Sequence, residues 1–174
     1  MLEENKCSLL WESQLYLRKA PVQVQSASMF PVQQKSFEMP VLEYSPIEDA
    51  YDEIELLGFP VTISLFEMLQ TNFRGEILAK DLLQCIGRKV RMVGRLVTLK
   101  YVRTSKNEMM HFGTFIDCTG NFFDSVHFPD SLRNYPFKGS GIYLILGKVV
   151  EEFGFPSLEV EKMAKLPYKP NPKA

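Results

Sequence analysis

The stretch HFGTFIDCTGNFFDSVHFPD, residues 111–130, decides the fold. Two apolar-rich runs are joined by Cys118-Thr119-Gly120-Asn121, and Pro129 closes the second. Alternation with a period of two puts one set of side chains on each face of a strand, so this pattern predicts a β-hairpin. Alternation divides its first arm into Met110, Phe112, Thr114, Ile116 and His111, Gly113, Phe115, Asp117. A hairpin this aromatic is compatible with the filling of a small barrel and equally with a platform on which bases stack. Phe115 is assigned to the core and Phe112 to the outer face.

Residues 89–104, KVRMVGRLVTLKYVRT, precede the hairpin as one long strand, with Gly94 where a strong bend or bulge is expected. The hairpin strands are predicted over residues 109–117 and 122–128. A polar connection follows, then a fourth strand over 141–152, again with a central glycine, Gly147. A fifth runs over 157–166. Five strands in this order, with a long excursion before the fourth, predict a mainly β protein built on a five-stranded OB-fold barrel. An SH3-like barrel is the competing architecture, and it lacks that excursion.

Upstream, Ser45-Pro46 with Glu48 reads as a helix start and Gly58 as its stop. Further short helices are expected over residues 64–70 and 78–86. Residues 4–19 carry Leu9, Leu10, Trp11, Tyr16 and Leu17 in a helical pattern, and a Pro/Gln-rich linker follows. The expected organisation is therefore a helix plus linker over residues 1–46, a short helical connector over 47–87, the barrel over 88–167 and a frayed tail over 168–174.

Charge is distributed unevenly. Residues 1–86 hold six Lys/Arg against thirteen acids, whereas residues 87–166 hold twelve against eight. Seven of those twelve, from Arg88 to Lys106, fall before the first acid, Glu108. Such a stripe is a footprint for a polyanion, and it is also how a solvated strand edge stays soluble. On the polyanion reading, Lys and Arg side chains of this stripe track phosphates, and Phe112 is a candidate for stacking a base.

Other chemistries find little support. Cys7, Cys85 and Cys118 form no CxxC and read as free thiols, and with His111 and His127 they give no zinc-ligand spacing. Neither a metal nor any other cofactor is expected. No nucleophile–base pair stands out, so no catalytic residue is assigned. There is no run of about 18 apolar residues, and the acidic N-terminus lacks the order of a signal peptide. A cytoplasmic protein with no membrane partner and no small-molecule substrate is the expectation.

Residues 90–130 resemble the OB domain of the bacterial DNA polymerase III alpha subunit. The matching positions are Val90, Met92, Gly94, Val97, Thr104, Met110, Phe112, Asp117, Thr119, Gly120, Asp124, Phe128 and Pro129. YDEIELLGFPVTISLFEML, residues 51–69, resembles the family's connector, and KCSLLWESQLYL, residues 6–17, the close of its helix-hairpin-helix region. The sequence departs at Ile63-Ser64-Leu65, where the family commonly has His-Pro, and at Ser105–Glu108, where it has a Lys-x-Gly loop. The clustered palm aspartates that would hold Mg²⁺ have no counterpart, since Asp117, Asp124 and Asp130 are spread over the hairpin. The resemblance thus implies a non-catalytic, single-stranded DNA-binding portion of a replicative DNA-directed DNA polymerase, partnered by DNA and by other parts of the holoenzyme. It further implies that Arg91, Arg95, Lys100, Arg103 and Lys106 contact phosphates, with Phe112 and Tyr101 stacking bases. Two alternatives stay open: a protein-interaction module that docks to polymerase or clamp components, and a tRNA- or RNA-binding OB protein.

Overall fold

The computed structural model describes residues 9–11, 13, 14, 17, 45–152 and 154–172. The chain divides into two compact units, residues 1–46 and residues 47–174. In the first, Leu9, Leu10, Trp11, Ser13, Gln14 and Leu17 are helical and exposed. The linker expected over residues 20–44 lies outside the described residues.

The second unit opens with α1 (Pro46–Leu57), whose first turn carries Glu48 and Asp49, the charge sign that suits a helix N-terminus. Gly58, at φ +83°, stops it by donating to the Ile54 carbonyl. A 3-10 helix (Ala79–Cys85) follows, then β1 (Lys89–Arg103), β2 (Met109–Ile116), β3 (Phe122–His127), α2 (Pro129–Asn134), β4 (Ile142–Glu152) and β5 (Phe155–Lys165). Among the described residues no helix is long and apolar enough to cross a membrane.

The strands close into a barrel in the order β1-β2-β3-β5-β4, with β1 pairing antiparallel to both β2 and β4 and β3 pairing parallel to β5. That topology is an OB-fold. Phe115, Phe123, Tyr143, Ile145, Leu158 and Val160 fill the interior, and Leu82 and Cys85 of the 3-10 helix join them. Gly94 is required by close approach: a Cβ there would lie 2.7 Å from Phe123 Cζ and 2.9 Å from Phe115 Cβ. The bulge expected at this residue sits instead between Leu96 and Thr98. Arg95 pairs with both Ile116 and Ile142, so β1 changes partner at that point and the extra residue falls just beyond it.

Two further expectations are corrected. Residues 64–70 form a hydrogen-bonded turn rather than a helix, because Leu69 must extend to bridge Tyr168. The tail is not frayed at its start: Lys169 N–H donates to Met68 O at 2.7 Å, and Tyr51 Oη donates to Lys169 O at 2.5 Å. Tyr168 joins a second apolar cluster on the outside of β1 and β4, around Phe66, Leu69, Val93 and Ile142. The connector and the tail together therefore form an outer layer on that side of the barrel.

Candidate nucleic-acid interface

Core packing of Phe115 and Phe123 fixes which face of the β2–β3 hairpin points outward. Strand register then arranges the outward side chains of three strands in rows. Arg95, Ile116 and Phe122 form the first, Thr98, Thr114 and Asp124 the second, and Lys100, Phe112 and Val126 the third. Val102 and Met110 begin a fourth, level with Phe128 one residue past β3. Rows on one face are about 7 Å apart along a strand. Three phenylalanine rings stand in solvent on this face: Phe122 at 63% exposure, Phe128 at 43% and Phe112 at 38%. Val126, paired with Phe112, is buried, and Thr114 Oγ1 donates to Asp124 Oδ1 at 2.7 Å.

The bulge decides which cations join the face. Strict alternation along β1 would put Arg95 and Lys100 on opposite sides, but the extra residue between Leu96 and Thr98 brings both outward. Neither makes a hydrogen bond or ion pair among the described residues.

The seven residues singled out from the sequence thus separate. Arg95, Lys100 and Phe112 share the outer face. Arg91 also points outward, but on the β1–β4 side. There its guanidinium pairs with Glu76 Oε1 at 2.7 Å and lies 5.4 Å from the Phe73 ring centroid. Its backbone N–H donates to Glu76 Oε2, and these contacts with Arg91 hold the Glu76 carboxyl below its ordinary pKa. Tyr101 lies on the opposite face of the β1–β2 ribbon, edge-on to His111 with centroids 4.5 Å apart. Arg103 follows it there and donates to Asn107 Oδ1, and Lys106 is exposed in the β1–β2 turn. Phe122 and Phe128 were missed. Their signal was available in FFDSVHF, where placing Phe123 inside sends Phe122, Asp124, Val126 and Phe128 outward.

The turn below the first row is built by Asp117. This buried carboxylate accepts from Ala79 N–H at 2.9 Å, Thr119 N–H at 2.8 Å, Thr119 Oγ1 at 2.7 Å and Asn121 N–H at 3.0 Å. Burial alone would raise its pKa; those four donors outweigh it and hold the group below the ordinary aspartate value. A cavity of about 550 Å³ opens between this turn and the connector, lined among others by Phe59, Leu65, Phe66, Arg95 and Ile116.

At the other end of the hairpin His111 and His127 face each other across β2 and β3. Ser125 Oγ donates to Gly113 O and lies 2.9 Å from His127 Nε2, so that nitrogen carries the proton donated to Ser125. Nδ1 of both histidines is buried without a partner among the described residues. Burial, assisted by the nearby charge of His111, pushes the His127 pKa down to about 4. No group of three or more His, Cys, Asp or Glu among the described residues is placed to hold a metal ion.

By topology the chain is an OB-fold protein, and its outer hairpin face is the surface on which that fold class takes oligonucleotides and oligosaccharides. No protein-family model matches it, and no curated protein does. Among solved structures it is similar to the second OB-fold domain of replication protein A from Methanococcus maripaludis. The identity is 13%, covering 46% of this chain and 85% of that one, with a TM-score of 0.35.

Proposed function

We propose that the outer face of β1, β2 and β3 binds single-stranded nucleic acid with little sequence preference, and that its ligand is DNA. One observation carries this reading: Arg95 and Lys100, which make no hydrogen bond or ion pair among the described residues, share one sheet face with three exposed phenylalanine rings. Exposed rings stack bases at about 1–3 kcal/mol per base, and the cations track phosphates. The resemblance of residues 90–130 supports the finer part, a non-catalytic OB-fold portion of a cytoplasmic replicative DNA polymerase III alpha subunit working with other holoenzyme parts. The test is fluorescence anisotropy of a labelled single-stranded oligonucleotide over a salt series, with duplex DNA and RNA alongside. Preference for single-stranded DNA that weakens steeply with salt is the expected result. Undetectable binding at low salt would reject it.

A second reading, docking to a protein partner, is favoured by the exposed Leu56 and Leu57 at the end of α1 and Val61 just beyond it, at 79%, 56% and 65% exposure. Replacing Arg95 and Lys100, the two cations of this face, together separates the two. DNA binding disappears under the first, and partner binding survives under the second.

A further inference from the structure

We infer that the cavity between the connector and the β2–β3 turn is a nucleotide subsite, taking one phosphate on Arg95 and its base against Phe59 and Ile116. The inference rests on the sheet-face reading and extends it to a site that the hairpin alone does not form.

Position comes first. Arg95 and Ile116 belong both to the first row of the outer face and to the cavity wall, and Phe122 completes that row. A strand stacked on Phe122 therefore abuts the cavity opening. Shape and size follow. At about 550 Å³ the cavity falls within the range of small-molecule sites, and Phe59, Leu65, Phe66 and Ile116 form the apolar part of a mixed wall, against which the flat face of a base can lie.

Charge supplies the other half of a nucleotide. The guanidinium of Arg95 has five N–H donors and makes no hydrogen bond or ion pair among the described residues. Among the described residues, the other ionisable side chains in the wall are Asp117 and Cys118. The Asp117 carboxylate is 3% exposed and already accepts from Ala79, Thr119 and Asn121, so it offers no partner to Arg95. Arg91 is the internal contrast. Four residues earlier on the same strand, it has Glu76 against it and Phe73 beneath it. An arginine without a partner among the described residues, beside the half-exposed Phe59 ring, thus offers a cation for the phosphate and a flat apolar surface for the base, the two halves of a nucleotide.

The test uses the full chain and single-stranded oligonucleotides carrying one 5-iododeoxyuridine, moved along the sequence. Photocrosslinks are mapped by mass spectrometry, with affinity measured for the wild type, Arg95→Ala and Arg95→Lys. Adducts within residues 58–66 are expected at one probe position and should be lost in Arg95→Ala. Affinity should fall about tenfold in Arg95→Ala, and Arg95→Lys should recover it only in part because a lysine lacks the bidentate fork. Wild-type binding with adducts confined to the hairpin would overturn the subsite and leave the sheet face intact, whereas an affinity indifferent to Arg95→Ala would overturn the subsite and take Arg95 out of the sheet face as well. If the wild type binds no oligonucleotide, both readings fall.

Discussion

His127 shows how far one buried residue can set a property of the whole domain. Its imidazole is fully buried between Ser125 and Phe137, with centroids to the latter 4.6 Å apart, and a charged ring there would have no water. In the fold it takes a proton only near pH 4, whereas the unfolded chain takes it near the ordinary 6.5. Unfolding therefore takes up a proton throughout that window. The stability contributed by keeping His127 neutral is complete above about pH 6.5 and drains away as pH falls towards 4. Between about pH 7 and about pH 5 the loss amounts to about 2 kcal/mol. His111, lowered by burial, adds in the same direction, and Asp117, held below its ordinary value, contributes only at still lower pH. Urea midpoints of the wild type and of His127→Gln at both pH values provide the check. The variant should lose much less stability on acidification, whatever its stability at neutral pH. Parallel losses in the two proteins would refute this role.

At the level of elements, the five strands and their order were legible because alternation, turn residues and Pro129 are local signals. The excursion after β3 was legible too. The inner ring Phe115 and the outer ring Phe112 followed from parity alone. Parity failed where β1 carries its bulge, since no residue between Leu96 and Thr98 announces a register shift. The sequence therefore groups Arg91, Arg95, Lys100, Arg103 and Lys106 in one basic stripe, while the folded strand distributes them over two faces and a turn. The helix expected over residues 64–70 failed for a related reason: its pairing partner, Tyr168, lies far away in the chain. This distribution yields a measurable ranking. Each phosphate contact removed should lower the slope of log affinity against log salt by about one. Arg95→Ala and Lys100→Ala should each do so. Arg91→Ala should leave the slope unchanged, because Glu76 already neutralises that charge. Equal effects from all three would mean that the whole stripe acts as a diffuse cation and that face assignment is irrelevant to binding.

On the scale of the second unit, residues 47–174, the barrel is held by an outer layer that the sequence divides between a connector and a tail. Glu76 N–H donates to Arg91 O at 2.7 Å, fastening the connector to β1, and Gln70 N–H donates to Pro167 O, fastening it to the tail. Tyr51 reaches the tail from α1 through its bond to Lys169 O. Tyr168 packs in the same cluster as Phe66, whose ring also lines the cavity, so the tail supports a wall of the inferred subsite. Ending the chain at Leu166 removes the Leu69–Tyr168 bridge, the hydrogen bonds of Lys169 to Met68 and Tyr51, and the Tyr168 ring. Loss of one half-buried aromatic and its hydrogen bonds should cost about 2–4 kcal/mol, read as a lower urea midpoint. Tyr168→Ala in the full-length chain should reproduce most of that loss, because the ring is what fills the cluster. The two changes also test how the layer serves binding. The proposed stacking on Phe112 and Phe128 depends on β2 and β3, so residual oligonucleotide affinity should persist at temperatures where the shortened chain remains folded. Crosslinks to residues 58–66 should disappear first, because their wall has lost its backing. An unchanged midpoint after truncation would mean that the barrel folds without this layer, and that the connector is fixed by β1 alone.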